Sequence, residues 1–406
     1  MSDPHGTVAV HEMPFGASLR SGGGADFRLW APAAKDVALE LQNEPGTEQR
    51  QPALRLGDGW WHATVAGAQP GALYRWVIDG SQTVPDPAAR HAPQGPHQWC
   101  VLTDPFDYLW RTTGWRGRPW QDMVFYELHV GTFTPEGTFA AAQVQLPRLA
   151  ELGFTAIELM PLSTFGGDWG WGYDGVLPFA PHPAYGSPND LKYFVDAAHA
   201  LGLSVFVDVV YNHFGPDGNY LPLYAPQFFS STHESPWGRA INFDQPGSAV
   251  VRDFFIHNAL YWIEEFRVDG LRLDAVHAIV DDGSPHILAD ISCRMHELAR
   301  SAGREVHLVL ENEKNQARWL KGPERAGLYD GQWNDDFHHA LHVLLTGESH
   351  TYYERFAQNP MDLLARVLTQ GFAFAEGVPA SDAATAVPLP ALLHFIGNHD
   401  QIGNRA

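Results

Sequence analysis

Four short runs place ionisable side chains at the ends of apolar segments: Asp208-Val209-Val210-Tyr211-Asn212-His213, Gly270-Leu271-Arg272-Leu273-Asp274-Ala275-Val276-His277, Leu310-Glu311-Asn312-Glu313 and Gly397-Asn398-His399-Asp400. The second reads as a buried strand. Side chains alternate along a strand, so Arg272 and Asp274 share one face while Leu271 and Leu273 take the other. Each run also has a plain reading, as a surface ion pair of little worth, a satisfied loop histidine or a solvated carboxylate. Convergence of all four on one mouth is what favours chemistry. Three carboxylates with an arginine and two histidines, without a cysteine cluster or a His-Glu-x-x-His helix, do not suit zinc. They suit glycoside hydrolysis, in which one carboxylate is the nucleophile and a carboxylic acid protonates the leaving oxygen. Arg272 then favours an ionised Asp274. Glu311 is the acid, raised by burial and by neighbouring negative charge, and Asp400 holds sugar hydroxyls and supports the positive charge that develops on the ring. No cofactor and no metal are expected; His338 and His342 stand four apart on a helical face, but no third ligand accompanies them.

The elements that carry these runs follow a repeating order. From residue 123 onward strands at 124–130, 156–162, 204–210, 270–277, 306–311, 328–333 and 392–397 are separated largely by helices at 139–152, 188–201, 248–266 and 285–302. Apolar spacing and glycine stops set these bounds. A parallel sheet is implied, either doubly wound or an eightfold β/α barrel. Polar clusters at the ends of many different strands favour the (β/α)8 TIM barrel, because a doubly wound sheet gathers its ligand contacts at one switch point. Residues 20–103 instead show short runs at 26–30, 36–41, 60–65 and 74–79 with Asp-Gly turn signals between them, which predicts an all-β sandwich. The domains expected are therefore 1–105, an immunoglobulin-like β-sandwich, and 106–406, the barrel. The glycines at 22–24 read as a flexible lead-in.

Composition narrows the partners. The net charge of -21 argues against nucleic acid and anionic membrane surfaces and for a neutral substrate. Aromatic residues make up 12% of the chain, and flat rings can either fill a core or stack on sugars, a choice that also applies to the loop from Asn219 to Tyr224. Cys100 and Cys293 are too few for a disulfide framework and read as reduced core thiols. Without a leader-like N-terminus or a long apolar segment, a cytoplasmic protein is expected.

These four runs, in this order, resemble the signature regions of the α-amylase superfamily of retaining α-glucan enzymes, over roughly residues 120–406. The resemblance implies Asp274 as nucleophile, Glu311 as general acid/base and Asp400 as transition-state stabiliser. It places Asp208, His213, Arg272 and His399 around the sugar whose bond is cut, with Tyr173 of Trp171-Gly172-Tyr173-Asp174-Gly175 stacked upon it. Phe27-Arg28-Leu29-Trp30-Ala31-Pro32 is similar to the carbohydrate-binding-like sandwich that precedes the barrel in branching and debranching relatives. Four stretches resemble the maltooligosyltrehalose trehalohydrolase family in particular: 125–134, 212–220, 398–405 and, most distinctive, Trp333-Asn334-Asp335-Asp336-Phe337-His338-His339. The implied activity is hydrolysis of the α-1,4 bond between trehalose and a maltooligosaccharide, with maltooligosyltrehalose or a related α-glucan as the partner. A glycogen branching or debranching enzyme is the alternative within the superfamily, and a noncatalytic glucan-binding protein the alternative outside it. The sequence stops six residues after Asp400, so a barrel truncated after strand 7, with an unpaired edge, is expected.

Overall fold

The computed structural model describes residues 10–321, 328–374 and 387–403. In the N-terminal part, Gly16–Leu19, Ala25–Trp30, Trp60–Val65 and Leu54–Arg55 form one antiparallel sheet in that spatial order. Gln49–Pro52, Val37–Gln42, Leu73–Ile78 and Gln82–Val84 form the second, with Cys100–Val101 added to Leu73–Ile78. Alternation explains the layering: Ala25, Phe27 and Leu29 are buried while Arg28 between them is exposed. Phe27 meets Tyr74 of the other sheet with ring centroids 5.0 Å apart. The glycines at 22–24 are not a lead-in but the turn joining the first two strands, where Gly23 and Gly24 adopt φ of 87° and 78°. A side chain at Gly24 would lie 2.4 Å from the Val65 carbonyl, so the turn needs glycine on two counts.

The second part is built on a seven-stranded parallel sheet whose spatial order follows the chain: β1 Phe125–Leu128, β2 Ala156–Leu159, β3 Ser204–Val209, β4 Gly270–Leu273, β5 His307–Leu310, β6 Gly331–Trp333 and β7 Leu392–Leu393. Every residue of β2 to β6 is buried, as near-continuous apolar strands covered on both faces must be. β4 starts on Gly270 because a Cβ there would sit 2.2 Å from the Phe206 ring and 2.5 Å from the His307 carbonyl. Asp269 pins the entry to β4. It accepts from the Val205 N–H at 2.9 Å and the Trp115 indole at 2.7 Å, and pairs with His199 at 2.8 Å and Arg304 at 3.1 Å. Although burial opposes the charge, these partners hold its carboxyl down at about 2.

Helices flank the sheet. Pro188–Ala200 opens on a capping box between Ser187 and Asp190. Ser248–Glu265 buries residues on most of its circumference, because it lies between the sheet and the sandwich: Phe254 packs edge-on against Phe15, and Glu265 pairs with Arg90 at 3.2 Å. The helix expected over 139–152 is broken into Phe139–Val144 and Leu146–Glu151, since Pro147 cannot continue the ladder but starts a new first turn well. Beyond β6 lie Asp335–Thr346 and Pro360–Gln370. Two hairpins also depart from the simple alternation, Ser163–Thr164 with Leu177–Pro181 and Phe229–Ser235 with Gly238–Ile241.

The two edges of the parallel sheet, β1 and β7, do not pair with each other. A cleft of about 890 Å³ lies between them, rimmed by the exposed side chains of Val124, Ile396 and Ile402. β7 is shorter than the 392–397 expected, and its continuation runs as a loop into the helix His399–Gly403. Among the described residues no helix is long and apolar enough to cross a membrane. Cys100 is buried as expected of a core thiol, but Cys293 is exposed on its helix. In the Asn219 to Tyr224 loop Tyr224 is buried and the Tyr220 hydroxyl meets His97 at 2.8 Å, while Asn219 and Pro222 line a cavity with His213 and Trp237.

Candidate active site

Three adjacent strands deliver the charged cluster. Asp208 lies within β3, Arg272 within β4, Asp274 just beyond β4 and Glu311 just beyond β5. The register places Asp208 opposite Arg272, so a guanidinium that is only 2% exposed can reach all three carboxylates. One of its nitrogens donates to Asp208 at 2.6 Å and Asp274 at 2.9 Å; the other donates to Glu311 at 2.6 Å. Planar forked donors suit this sharing in a way a lysine could not. Asn212 adds a bond from its amide to the Asp274 carboxylate at 2.9 Å and a second to the Asp274 carbonyl at 2.8 Å. Ala275 takes the left-handed conformation, φ 40° and ψ 50°, and its N–H points at Glu311, 3.0 Å away. That conformation is costly for a residue with a Cβ, and here it supplies a donor to the site.

Three carboxylates around one cation cannot all stay ionised at low cost. Burial, with Glu311 and Asp208 alongside, outweighs Arg272 and raises Asp274 to about 8. Burial also presses upward on Glu311, yet Arg272, the Ala275 N–H and a hydrogen bond with Asp274 hold it below its ordinary value. These directions run opposite to the expectation of an ionised Asp274 beside a protonated Glu311. The physical reason is that Glu311 receives its own guanidinium nitrogen and a backbone donor, whereas Asp274 shares its nitrogen with Asp208. The two carboxyls are pressed in opposite directions, so a proton shared by the pair favours Asp274.

A second group comes from the sheet edges. The His399 ring meets Glu127 of β1 through Nδ1 at 2.7 Å, and its backbone N–H donates to the same carboxylate at 2.9 Å. Burial opposes both charges, but the pairing raises His399 and lowers Glu127. Tyr173 stacks on the His399 ring with centroids 5.2 Å apart, and its hydroxyl reaches His399 Nε2 at 2.9 Å and donates to Asp208 at 2.7 Å. This hydroxyl is the bridge between the two groups. Asp400 lies beside His399, 3.5 Å from its Nε2, and is raised by burial more than His399 lowers it. His213 bonds to Asn212 and stacks on Trp237 of the second hairpin at 4.6 Å, and burial lowers its pKa.

The structure thus gathers Asp208, Arg272, Asp274, Glu311, Tyr173 and His399 into one hydrogen-bonded network, with Asp400 and His213 adjoining it. It adds Glu127, Asn212, the Ala275 N–H and Trp237, to which the sequence reading assigned no role. A charged residue in a strand expected to be apolar was the available signal for Glu127, and Asn212 stands inside a run already marked. The same signal applied to Glu158 of β2, which lies next to Glu127 in register and is fully buried, with its carboxyl raised well above the ordinary range by burial and by Glu127. His338 bonds to the Ile396 carbonyl at 2.6 Å and to Tyr353, and His342 to Glu348 at 2.7 Å. Among the described residues one His/Asp group, His233 with Asp244 and Asp282, has donor atoms close enough to share an ion, and it has no residue in common with the carboxylate cluster. Asn404 and Arg405, which end the 398–405 stretch, lie outside the described residues.

Residues 14–106 match the family "Carbohydrate-binding module 48 (Isoamylase N-terminal domain)", and residues 113–225 match "Alpha amylase, catalytic domain". The malto-oligosyltrehalose trehalohydrolase of Saccharolobus solfataricus is 39% identical over 97% of this chain and 69% of its own length. The chain belongs to the malto-oligosyltrehalose trehalohydrolase family. Another member, from Rhizobium sp. (strain M-11), is 43% identical over 95% of this chain and 66% of its own length. A crystal structure of a candidate alpha amylase from Salmonella typhimurium superimposes with a TM-score of 0.88 at 44% identity, covering 97% of this chain and 67% of that one. The chain spans about two thirds of the length of the curated relatives it matches. Family membership and the parallel sheet agree with the α-amylase type of barrel expected from the strand order, with seven of its strands among the described residues.

Proposed function

We propose that the protein hydrolyses the α-1,4 bond joining a terminal trehalose to a maltooligosaccharide, releasing trehalose with retention of configuration. The observation that carries the chemistry is the Arg272 fork, which ties Asp274 and Glu311 to opposite ends of one guanidinium so that they act as a pair. Kinship at about 40% identity to trehalohydrolases supports the substrate. Asp274 attacks C1 of the glucose next to trehalose; the C1–O bond breaks as Glu311 gives its proton to the departing trehalose oxygen. Water then attacks C1 of the glycosyl ester, Glu311 takes the water's proton, and the bond between C1 and the Asp274 oxygen breaks to free the carboxylate. For the first step the shared proton must move from Asp274 to Glu311. A glucan entering between them breaks their hydrogen bond and brings an oxygen that Glu311 can protonate. Asp400 and the His399–Glu127 pair hold the hydroxyls of the ring as positive charge develops, with Tyr173, Asp208 and His213 lining the same sugar.

The domain boundary falls near residue 105, between the last sandwich strand and β1. The enzyme works in the cytoplasm, where two free cysteines that form no disulfide are at home. The full-length protein is expected to release trehalose from maltooligosyltrehalose at least ~10-fold faster than it releases glucose or maltose from a plain maltooligosaccharide of equal length, a discrimination within reach of a dedicated leaving-group site. Equal rates on both would refute the assignment.

A further inference from the structure

The hairpin that brings Trp237 to His213 holds a second cluster of ionisable side chains. Its ladder is interrupted between Phe229 and Glu234, and there Gln245 ties Ser230 at 2.7 Å and Ser231 at 2.9 Å instead. His233 stands in the same gap. Its Nε2 meets Asp244, just past the hairpin, at 3.0 Å and Asp282, on the loop after β4, at 3.7 Å. The Asp282 N–H donates to the Asp244 carboxylate at 2.9 Å and fixes its orientation. The neighbouring Asp281 is consumed by structure, receiving Arg252 at 2.7 Å and the Gly283 N–H at 2.8 Å. Asp282 has no such duty: its side chain is 82% exposed, and among the described residues its one partner is His233.

Asp244 carries an observation that a simple ion pair does not account for. Its side chain is only 8% exposed, and its Oδ1 is buried with no hydrogen-bond partner among the described residues. A buried carboxylate oxygen without a donor calls for a cation or a water. Ligand atoms ~2 Å from one shared ion stand about 3 to 4 Å from each other, and here one donor atom from each of the three residues lies within 4.8 Å of the other two. One imidazole with two carboxylates suits zinc and its divalent transition-metal neighbours better than calcium or magnesium, which favour oxygen alone. We infer that His233, Asp244 and Asp282 form a site for one such ion, which fastens the hairpin to the loop after β4. Its effect would reach the sugar site through Trp237, stacked on His213 at 4.6 Å. None of the three ligands belongs to the network around Arg272, so the inference stands apart from the proposed activity.

The test uses the full-length protein, stripped with a chelator and dialysed, with zinc chloride as the probe and calcium chloride as the comparison. Calorimetry should show a single saturable zinc site and calcium bound at least ~10-fold more weakly. Asp282→Asn changes an exposed side chain and keeps the fold. It should weaken zinc binding by at least ~10-fold, since loss of even a supporting partner of a metal ligand costs about that much, and His233→Ala should do the same. Zinc should also slow trypsin cleavage after Arg239, exposed on the hairpin, in wild type and not in Asp282→Asn. Absence of saturable zinc binding, calcium bound as tightly as zinc, or zinc binding that survives either substitution reduces the cluster to an ion pair and overturns the inference. Zinc bound at these residues with Arg239 cut as fast as before overturns the fastening of the hairpin.

Discussion

Asp208 stands on β3, with Asp274 and Glu311 just beyond β4 and β5, at the middle of the sheet, and all three are tied by one guanidinium. His399 and Asp400 stand on a five-residue helix beyond β7, at the sheet's edge, and are tied through a histidine to β1. The first group is fixed by register and close packing, the second by a contact between two edges that do not otherwise pair. Groups that form and break the covalent bond gain most from rigid placement. Groups that grip hydroxyls can tolerate a mount that adjusts. The Tyr173 hydroxyl, bonded to Asp208 and to His399, is the point at which one region reports to the other.

The largest effect is expected from the middle of the sheet. Arg272→Ala would leave three buried carboxylates without their cation and cost about 3–5 kcal/mol of stability, read by urea denaturation, with hydrolysis abolished. A fully stable variant would break the claim that this guanidinium organises the site. Glu311→Gln should next lower kcat by about 10²- to 10⁴-fold with the fold intact. Removing its charge should also lower the Asp274 pKa below about 8, seen as an upfield or downfield carboxyl titration moving to lower pH in labelled protein. An unmoved Asp274 titration would deny that the two share a proton.

At the edge, Glu127→Gln should cost about 10-fold in activity, as loss of a partner that orients a working histidine commonly does, and little stability. The sign of its pH dependence is definite. His399 is raised, so its contribution is present at low pH and fades as pH rises through its folded value; Glu127 is lowered, so its contribution fades as pH falls through its own. The pair therefore supports the site from below 4.5 to above 6.5. Glu127→Gln should pull the alkaline limb of the rate profile to lower pH, and an unchanged limb would contradict the pairing. The smallest effect sharpens the comparison: Ala275→Gly relieves a left-handed alanine at the site's rigid end while adding backbone freedom, so its melting temperature should change by less than the equivalent of ~1 kcal/mol. A large loss would show that the Ala275 methyl, and not its N–H, matters.

Much of the middle region was legible in the sequence. β3, β4 and β5 are continuous apolar runs that end in charge, and their order alone brings Asp208, Arg272, Asp274 and Glu311 together. Their proton balance was not legible, because it depends on which guanidinium nitrogen each carboxylate meets and on the Ala275 N–H, a product of one left-handed residue. The edge was harder. β7 has two paired residues, too few for a periodic signal, and the tie from Glu127 to His399 spans 272 positions. The hairpin that brings Trp237 to His213 has little apolar alternation to announce it. The break at Pro147, by contrast, was written in the sequence as a proline at a helix start.

The most direct test of the central claim follows the anomeric proton by NMR while the full-length protein hydrolyses maltooligosyltrehalose. A nucleophilic Asp274 paired with Glu311 predicts that free trehalose appears together with a maltooligosaccharide whose new reducing end is first the α anomer, and that Asp274→Asn yields neither. First appearance of the β anomer would contradict the double displacement.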